Sequence, residues 1–300
     1  MNKLAALLKL IRWPNLVFIA LAQALVYFCI VTPDIGCSAN FPITEFLRIV
    51  VSTVLIAAAG YMLNDYFDIR IDSINKPDKV VLSKIISRKA MIIWHVILNI
   101  IALSLVVGLA YQNQLRLLSI QIVCILALIV YSASFKRRLF VGNLLVAFLI
   151  ALSVLLVGIY SVGFKVLSLA GSNEKLLWLY ALFAFLITLV REIIKDAEDL
   201  KGDIQEGCQT IPIVYGLELT KKIIYFIYIL LLGLLSAFIA KLFTSNAILC
   251  IYFVVGVMVP SIFLLRKIQQ AKSTSDFAKL STWVKWLTLS GIISMLLIQL

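Results

Sequence analysis

The sequence predicts an all-α integral membrane protein with about nine transmembrane helices around a central cavity. Three observations predict it. Of its 300 residues, 63% are hydrophobic and 14% charged, against roughly 45–50% and about 25% in soluble domains. Nine apolar runs approach the roughly 20 residues that a spanning helix needs, at 13–32, 43–63, 90–111, 115–133, 139–162, 175–194, 222–243, 246–265 and 284–300. The gaps between runs divide the basic residues unevenly: 22 Lys and Arg lie on the side that holds the N-terminus and five on the other. That bias marks cytoplasmic loops, so the N-terminus and its side of the bundle are expected in the cytoplasm.

Each run has its own justification. The first follows Lys3, Lys9 and Arg12 and is long for a signal-peptide core, so it is read as a spanning helix. Pro14 near its start and Pro260 in the eighth run are tolerable where neighbouring helices satisfy the freed carbonyls. The second run ends in Asn64-Asp65-Tyr66-Phe67-Asp68-Ile69-Arg70-Ile71-Asp72, and the sixth in a stretch from Arg191 to Asp203. The third contains His95, expected to pack rather than to ligate. The fourth leads into Lys136, Arg137 and Arg138. The gaps 64–89 and 195–221 are long and hold most of the acidic residues. Three of the five cysteines lie in apolar runs, and no pair has metal-ligand spacing, so they are expected to be packing residues. A net charge of +12 on such a chain signals topology and attraction to anionic headgroups. Nucleic acid is not an expected partner.

Asp65, Asp68 and Asp72 are spaced i, i+3, i+7. At about 100° per residue they form one helical stripe roughly 60° wide. Asp196, Asp199 and Asp203 repeat the spacing 131 residues later, and Glu192 falls on the same stripe. The chain is therefore read as one domain, 1–300, with a pseudo-repeat of roughly 1–133 and 139–265. Like charges on a stripe repel, more so beside a low-dielectric medium. A multivalent cation removes that penalty, and Mg²⁺ is usually held by one or two carboxylates together with substrate phosphates. Two opposed stripes thus suit Mg²⁺ with a diphosphate between them. Lys76, Lys79, Lys136, Arg137 and Arg12 are candidate fixed cations for it.

These residues resemble the two aspartate-rich motifs of the UbiA superfamily of intramembrane prenyltransferases. Arg12-Trp13-Pro14-Asn15 and Tyr131-Ser132-Ala133-Ser134-Phe135-Lys136 are similar to further family segments, and the resemblance spans most of the chain. It implies Mg²⁺-dependent transfer of a polyprenyl group from its diphosphate, geranylgeranyl diphosphate being the expected donor. The aspartates would hold metal and act in catalysis. Asn64, Arg12, Asn15, Lys76, Lys79, Tyr131, Lys136, Arg137, Arg191, Glu192 and Lys195 would bind substrate. Tyr131 or Tyr66 could face the allylic cation, and Asp68 or Asp199 could take the released proton. Arg191-Glu192-Ile193-x-Lys195-Asp196-x-Glu198-Asp199 and Thr210-Ile211-Pro212 look closest to the branch that makes digeranylgeranylglyceryl phosphate, which implies a lipid acceptor, geranylgeranylglyceryl phosphate. An aromatic or quinone-precursor acceptor, or a chlorophyll-synthase-like reaction, is the alternative. The chain departs from the family pattern at Val80-Val81-Leu82-Ser83-Lys84, where many members have a Pro-Ser-Gly turn, and at Lys136, five rather than four residues after Tyr131.

An ion-coupled transporter is the rival class, since intramembrane carboxylates also mark transport paths. Clustering of the carboxylates at one face, not the midplane, weighs against it. A phospholipid alcohol phosphotransferase would need an Asp-Gly-x-x-Ala-Arg opening, which is absent.

Overall fold

Backbone groups inside a bilayer find no water, so a spanning apolar run must close its own hydrogen bonds as a helix. The computed structural model describes residues 3–32, 41–75, 86–110, 115–162, 172–242 and 246–299. In chain order its helices are α1 (Lys3–Leu10), α2 (Trp13–Val31), α3 (Ile43–Asn75), α4 (Arg88–Ala110), α5 (Leu115–Ala133), α6 (Val141–Val162) and α7 (Ser172–Glu198). The short α8 (Leu200–Gln205) follows, then α9 (Ile211–Leu242), α10 (Ala247–Gln270) and α11 (Thr274–Ile293). Among the described residues eight helices are long and apolar enough to cross a membrane, and Leu118–Ala133 within α5 is a shorter apolar stretch. All nine predicted runs are therefore helical, and the protein is a multi-pass membrane protein.

Boundaries differ from the sequence reading in three places. Helix α3 continues unbroken to Asn75 and carries the whole first stripe, Asp65, Asp68 and Asp72. Helix α7 stops at Glu198: Asp196 lies on α7, Asp199 is the N-cap residue of α8 and Asp203 lies within α8, so the second stripe is not on one continuous helix as expected. The ninth run starts at Thr274 rather than 284. Ser273 and Asp276 form a reciprocal capping box there: the Asp276 N–H donates to Ser273 Oγ at 3.2 Å and the Ser273 N–H to Asp276 Oδ2 at 3.0 Å. Hydropathy does not register that polar signal. Helix α9 begins at Ile211 but breaks from helical geometry at Gly216 (φ 75°), so its straight part starts near the predicted 222.

The centre of the bundle is α6 against α7, with α9 and α11 on α7 and with α2 on α6. Helix α3 packs against α4, α5 and α2. Val157, Val190, Ile193, Ile194, Tyr228 and Phe277 are fully buried in the resulting core. On the outside, Phe226 is 72% and Trp286 65% exposed, the reverse of a water-soluble surface and the expected face toward acyl chains. Inside the bundle, polar side chains act as ties. Gln23 Nε2 on α2 donates to Thr53 Oγ1 on α3 at 3.3 Å and to the Ser153 carbonyl on α6 at 2.9 Å. His95 is buried and bonds through Nδ1 with the Ala59 carbonyl at 3.0 Å, a packing role as expected. Four cysteines, Cys29, Cys124, Cys208 and Cys250, are free thiols.

Pro260 shows how a helix breaker is accommodated. It follows a π-helical segment, Phe253–Met258, a common adjustment at such sites. Proline has no N–H for the carbonyl four residues back. That carbonyl, of Gly256, instead accepts from Ser290 Oγ on α11 at 2.8 Å. Ser290→Ala is expected to leave it unsatisfied and to cost about 1–2 kcal/mol, read as a lower Tm in detergent. In a Pro260→Ala background, where residue 260 regains its N–H, the same change should cost clearly less; equal losses in both backgrounds would refute this pairing.

Candidate active site

The cytoplasm-predicted end of α3 carries Asp65, Asp68 and Asp72, and that of α7 with the following α8 carries Asp196, Asp199 and Asp203; separate neighbours hold each group. On α3, Asp65 is buried and accepts from Arg12 Nη2 at 2.9 Å. Arg12 also lies over the Tyr61 ring, 4.9 Å from its centroid, and Asn15 Nδ2 donates to the Tyr61 hydroxyl at 3.3 Å. Arg12 reaches this position from a left-handed backbone (φ 52°), a conformation that costs a non-glycine residue energy and persists where its surroundings fix it. Burial works against the charge of its guanidinium, but Asp65, Tyr61 and Asp72 together outweigh burial and raise its pKa. One turn further along α3, Asp68 is ion-paired with Lys136 and accepts from Asn64 Nδ2 at 2.6 Å.

On α7, Asp196 accepts from Asn143 Nδ2 of α6 at 2.8 Å. Glu192 is buried; its Oε1 and Oε2 accept from Lys195 Nζ at 2.9 and 3.1 Å, and Arg191 Nη1 is 3.4 Å from Oε1. Asp203 is buried on α8, and its backbone carbonyl accepts from the Cys208 N–H at 2.9 Å.

Two features bring the stripes together. Asn75, at the end of α3, donates through Nδ2 to the Asp199 carbonyl at 2.8 Å and accepts through Oδ1 from the Gly202 N–H at 2.9 Å. A Cβ at Gly202 would lie 2.6 Å from Asn75 Nδ2, so the tie requires glycine there. The other feature is the turn after α5. Lys136 is ion-paired with Asp68 and also feels the charge of Asp203. Burial pushes its ammonium pKa down to about 7, and Arg137 beside it adds to the fall. The turn is packed tightly: a Cβ at Gly142 would meet Lys136 Cα at 2.8 Å and the Phe135 carbonyl at 2.9 Å.

A cavity of about 290 Å³ opens from this end into the bundle. Most of its wall is apolar, from Phe18, Ile56, Leu128, Leu156 and Phe183 among others. Of the residues predicted to bind substrate, Arg12, Asn15, Asn64, Tyr131, Arg191, Glu192 and Lys195 line it. The six aspartates and Lys136 do not; Asp65 pairs with Arg12 of that lining and Asp68 accepts from Asn64 of it. Arg137 is not in the lining either, and its carbonyl accepts from the Gln209 N–H at 2.8 Å, which makes it a strut of the turn rather than a cation over the cavity. Tyr66, considered beside Tyr131 for an aromatic role, instead has Arg88 over its ring at 5.3 Å. Lys76, Lys79 and the departure at 80–84 lie outside the described residues. The sequence reading missed Asn75, Asn143 and Gly142, which act across helices, and Lys285, counted as a topology residue but found in the cavity wall.

An apolar cavity within a bundle of spanning helices, ending in charged side chains at one face, is a site suited to an apolar chain with a charged end. The chain belongs to the UbiA prenyltransferase family, whose pattern matches residues 11–289, and it is a polyprenyltransferase. It is similar to the digeranylgeranylglyceryl phosphate synthase of Methanosphaera stadtmanae, 30% identical over 76% of this chain and 78% of that one. The synthase of Saccharolobus solfataricus is 33% identical over 81% and 80%. The likeness to the synthase of Methanoregula boonei is 35% identity over 60% of each chain. Among solved structures, one from work on digeranylgeranylglyceryl phosphate synthase in membranes matches with a TM-score of 0.67 at 24% identity, covering all of both chains. A UbiA homologue from Archaeoglobus fulgidus bound to GPP and Mg²⁺ matches with a TM-score of 0.60 at 13% identity, over 97% of this chain and 99% of that one.

Gly142→Ala is expected to push the Lys136 turn off Asp68. Prenyl transfer should fall by about tenfold or more, since small displacements of catalytic groups carry losses of that order. A variant that folds, judged by its elution profile and Tm, yet transfers at the wild-type rate would show that this close approach does not position Lys136.

Proposed function

We propose that this protein transfers the geranylgeranyl group of geranylgeranyl diphosphate to geranylgeranylglyceryl phosphate, forming an ether bond in lipid synthesis. The observation that carries the reading is the pair of aspartate stripes, held together by Asn75, at the polar end of an apolar cavity. The names of the curated relatives support the choice of acceptor.

The residues fit Mg²⁺. Its preferred ligands are oxygens, and one or two carboxylates suffice where phosphates supply the rest. Among the described residues no three His, Cys, Asp or Glu side chains are preassembled as a metal cluster, so ligation here would need oxygens of the diphosphate as well. Asn64 Oδ1 is buried without a hydrogen-bond partner beside Asp68, an oxygen available to a cation. Asp65, Asp68 and Asp72 on one side, with Asp196, Asp199 and Asp203 on the other, would hold Mg²⁺, which supplies positive charge for the departing diphosphate.

The chain's own residues do the rest. Arg12 places fixed positive charge at the polar end, Lys136 adds to it in its protonated form, and both stabilise the negative charge of the leaving group. Apolar walls receive the prenyl tail, at roughly 0.8 kcal/mol per CH₂ relative to water and less relative to lipid, and keep water from the allylic cation. Tyr131 presents its ring to that cation, an attraction of about 0.5–2 kcal/mol. The donor's C1–O bond breaks and its electron pair leaves on the diphosphate. The acceptor's hydroxyl oxygen bonds to C1 and gives up its proton, for which Asp68 and Asp199 are the candidate bases. The Lys and Arg bias supports a cytoplasmic position for this end of the bundle.

Purified protein given labelled geranylgeranyl diphosphate should prenylate geranylgeranylglyceryl phosphate with Mg²⁺ and stop with EDTA. Asp65→Asn and Asp196→Asn should each lose at least about 100-fold in rate, as when a main stabiliser of a leaving group is removed. Transfer to 4-hydroxybenzoate or dihydroxynaphthoate in its place would replace this acceptor with an aromatic one, and EDTA-resistant transfer would remove Mg²⁺ from the reading.

A further inference from the structure

The charged residues of the cavity wall do not balance. Arg12, Arg191, Lys195 and Lys285 line it with a single carboxylate, Glu192. Arg12 is committed to Asp65, and Lys195 spans both oxygens of Glu192. Two cations are left over. Arg191 touches Glu192 only at 3.4 Å, and its Nε is buried without a hydrogen-bond partner. Lys285 has no carboxylate partner among the described residues; its ammonium lies 5.2 Å from the centroid of the Phe18 ring. Arg191 and Lys285 are also within electrostatic reach of one another. Two neighbouring like charges in a mostly apolar cavity are costly, and an anion of charge close to −2 would cancel them.

The depth of this pair separates it from the aspartates. Helix α7 runs toward the polar end, so Arg191 stands five residues before Asp196, about 7.5 Å further into the bundle at 1.5 Å per residue. Lys285 is level with Phe18, six residues past Arg12 on a helix that runs the other way. That is the depth at which C1 of the donor must lie, just inside its diphosphate. The nucleophile has to reach C1, so the head of the acceptor belongs at the same depth.

We propose that Arg191 and Lys285, with Lys195 held beside them by Glu192, form a phosphate-monoester site for the head of the acceptor, distinct from the Mg²⁺–diphosphate site. A phosphate monoester carries about −1.5 to −2 charges near neutral pH, which matches the two unbalanced cations, and a guanidinium offers it paired donors. The site selects phosphorylated lipid acceptors over neutral ones. This rests on the transferase reading given above.

The test is equilibrium binding of geranylgeranylglyceryl phosphate to the detergent-purified protein in EDTA, without donor, so that the metal-dependent site is silent. Wild type, Lys285→Gln and Arg191→Gln are compared, with binding of a non-hydrolysable geranylgeranyl diphosphate analogue in Mg²⁺ as a second measurement on each. Lys285 has no ion-pair partner to orphan, so its variant should fold even if Arg191→Gln does not. The expected result is a tenfold or greater loss of acceptor affinity in the variants, unchanged donor-analogue affinity, and weak wild-type binding of the dephosphorylated acceptor. Acceptor affinity that survives Lys285→Gln overturns the site while leaving the transferase reading intact. An equal loss of acceptor and donor affinity would assign the cations to the diphosphate instead. Competition by phosphatidic acid as strong as by the acceptor itself would make the site one for bulk anionic lipid and overturn the proposed selectivity. Wild-type protein that transfers to an aromatic acceptor and binds no phosphorylated lipid would overturn both readings.

Discussion

The structure depends on how negative charge is held at the ends of two helices that leave a low-dielectric medium. Asp65 and Asp68 sit one turn apart on α3, and each is answered by a cation from a different segment, Arg12 and Lys136. Without those partners the helix end would carry repelling charges beside apolar walls. With them, the segment before α2 and the turn after α5 are both pinned to α3. The Asn75 tie then fixes α3 to α7 and α8. One electrostatic requirement thereby orders five elements at the polar end.

The same arrangement prepares the site for exchange. Arg12 and Lys136 pair with Asp65 and Asp68, and under the proposed reaction they would also meet diphosphate oxygens. In the proposed reaction, a metal entering with a diphosphate would supply positive charge for the carboxylates, and the diphosphate negative charge for Arg12 and Lys136. The number of opposite-charge contacts is then preserved on binding, and neither partner is left buried and unpaired, which is the costly outcome for a buried ion pair.

Much of the fold was legible in the sequence because the bilayer imposes a simple rule: apolar runs must be helices. All nine runs are found as helices. The first aspartate stripe was legible for a related reason, since i, i+3, i+7 spacing is a property of one helix and α3 runs unbroken through it; the second crosses the break at Asp199 between α7 and α8, which the spacing alone does not reveal. What sequence could not supply is contact between helices. Asn143 reaches Asp196 across 53 positions and Asn75 reaches Asp199 across 124, and nothing local marks either asparagine as a clamp. Lys285 looked like one of many topology lysines until α11 proved to start at Thr274, which carries it into the cavity wall. Arg137 erred the other way: it has the charge for a site residue, but the turn spends its backbone on Gln209.

The two cations of the polar end share a structural origin that explains why sequence patterns of helices do not find them. A helix running alongside α3 presents side chains along its own axis, at the spacing of its turns. Arg12 and Lys136 instead approach α3 from breaks between helices, and positive-φ residues stand at both breaks: Arg12 itself at 52° and Phe140 at 62°. Left-handed backbone in a bulky residue is uncommon and persists where surrounding contacts over-determine it. At the first break those contacts are the Arg12–Asp65 pair and the Tyr61 ring. At the second they are the Lys136–Asp68 pair and the close approach of Gly142. The irregular backbone lies outside the apolar interior, where water can satisfy groups that a helix would otherwise pair. Among the described residues the polar end of the bundle thus holds left-handed turns and charged side chains together, which is what the proposed binding of a prenyl diphosphate at this end would use.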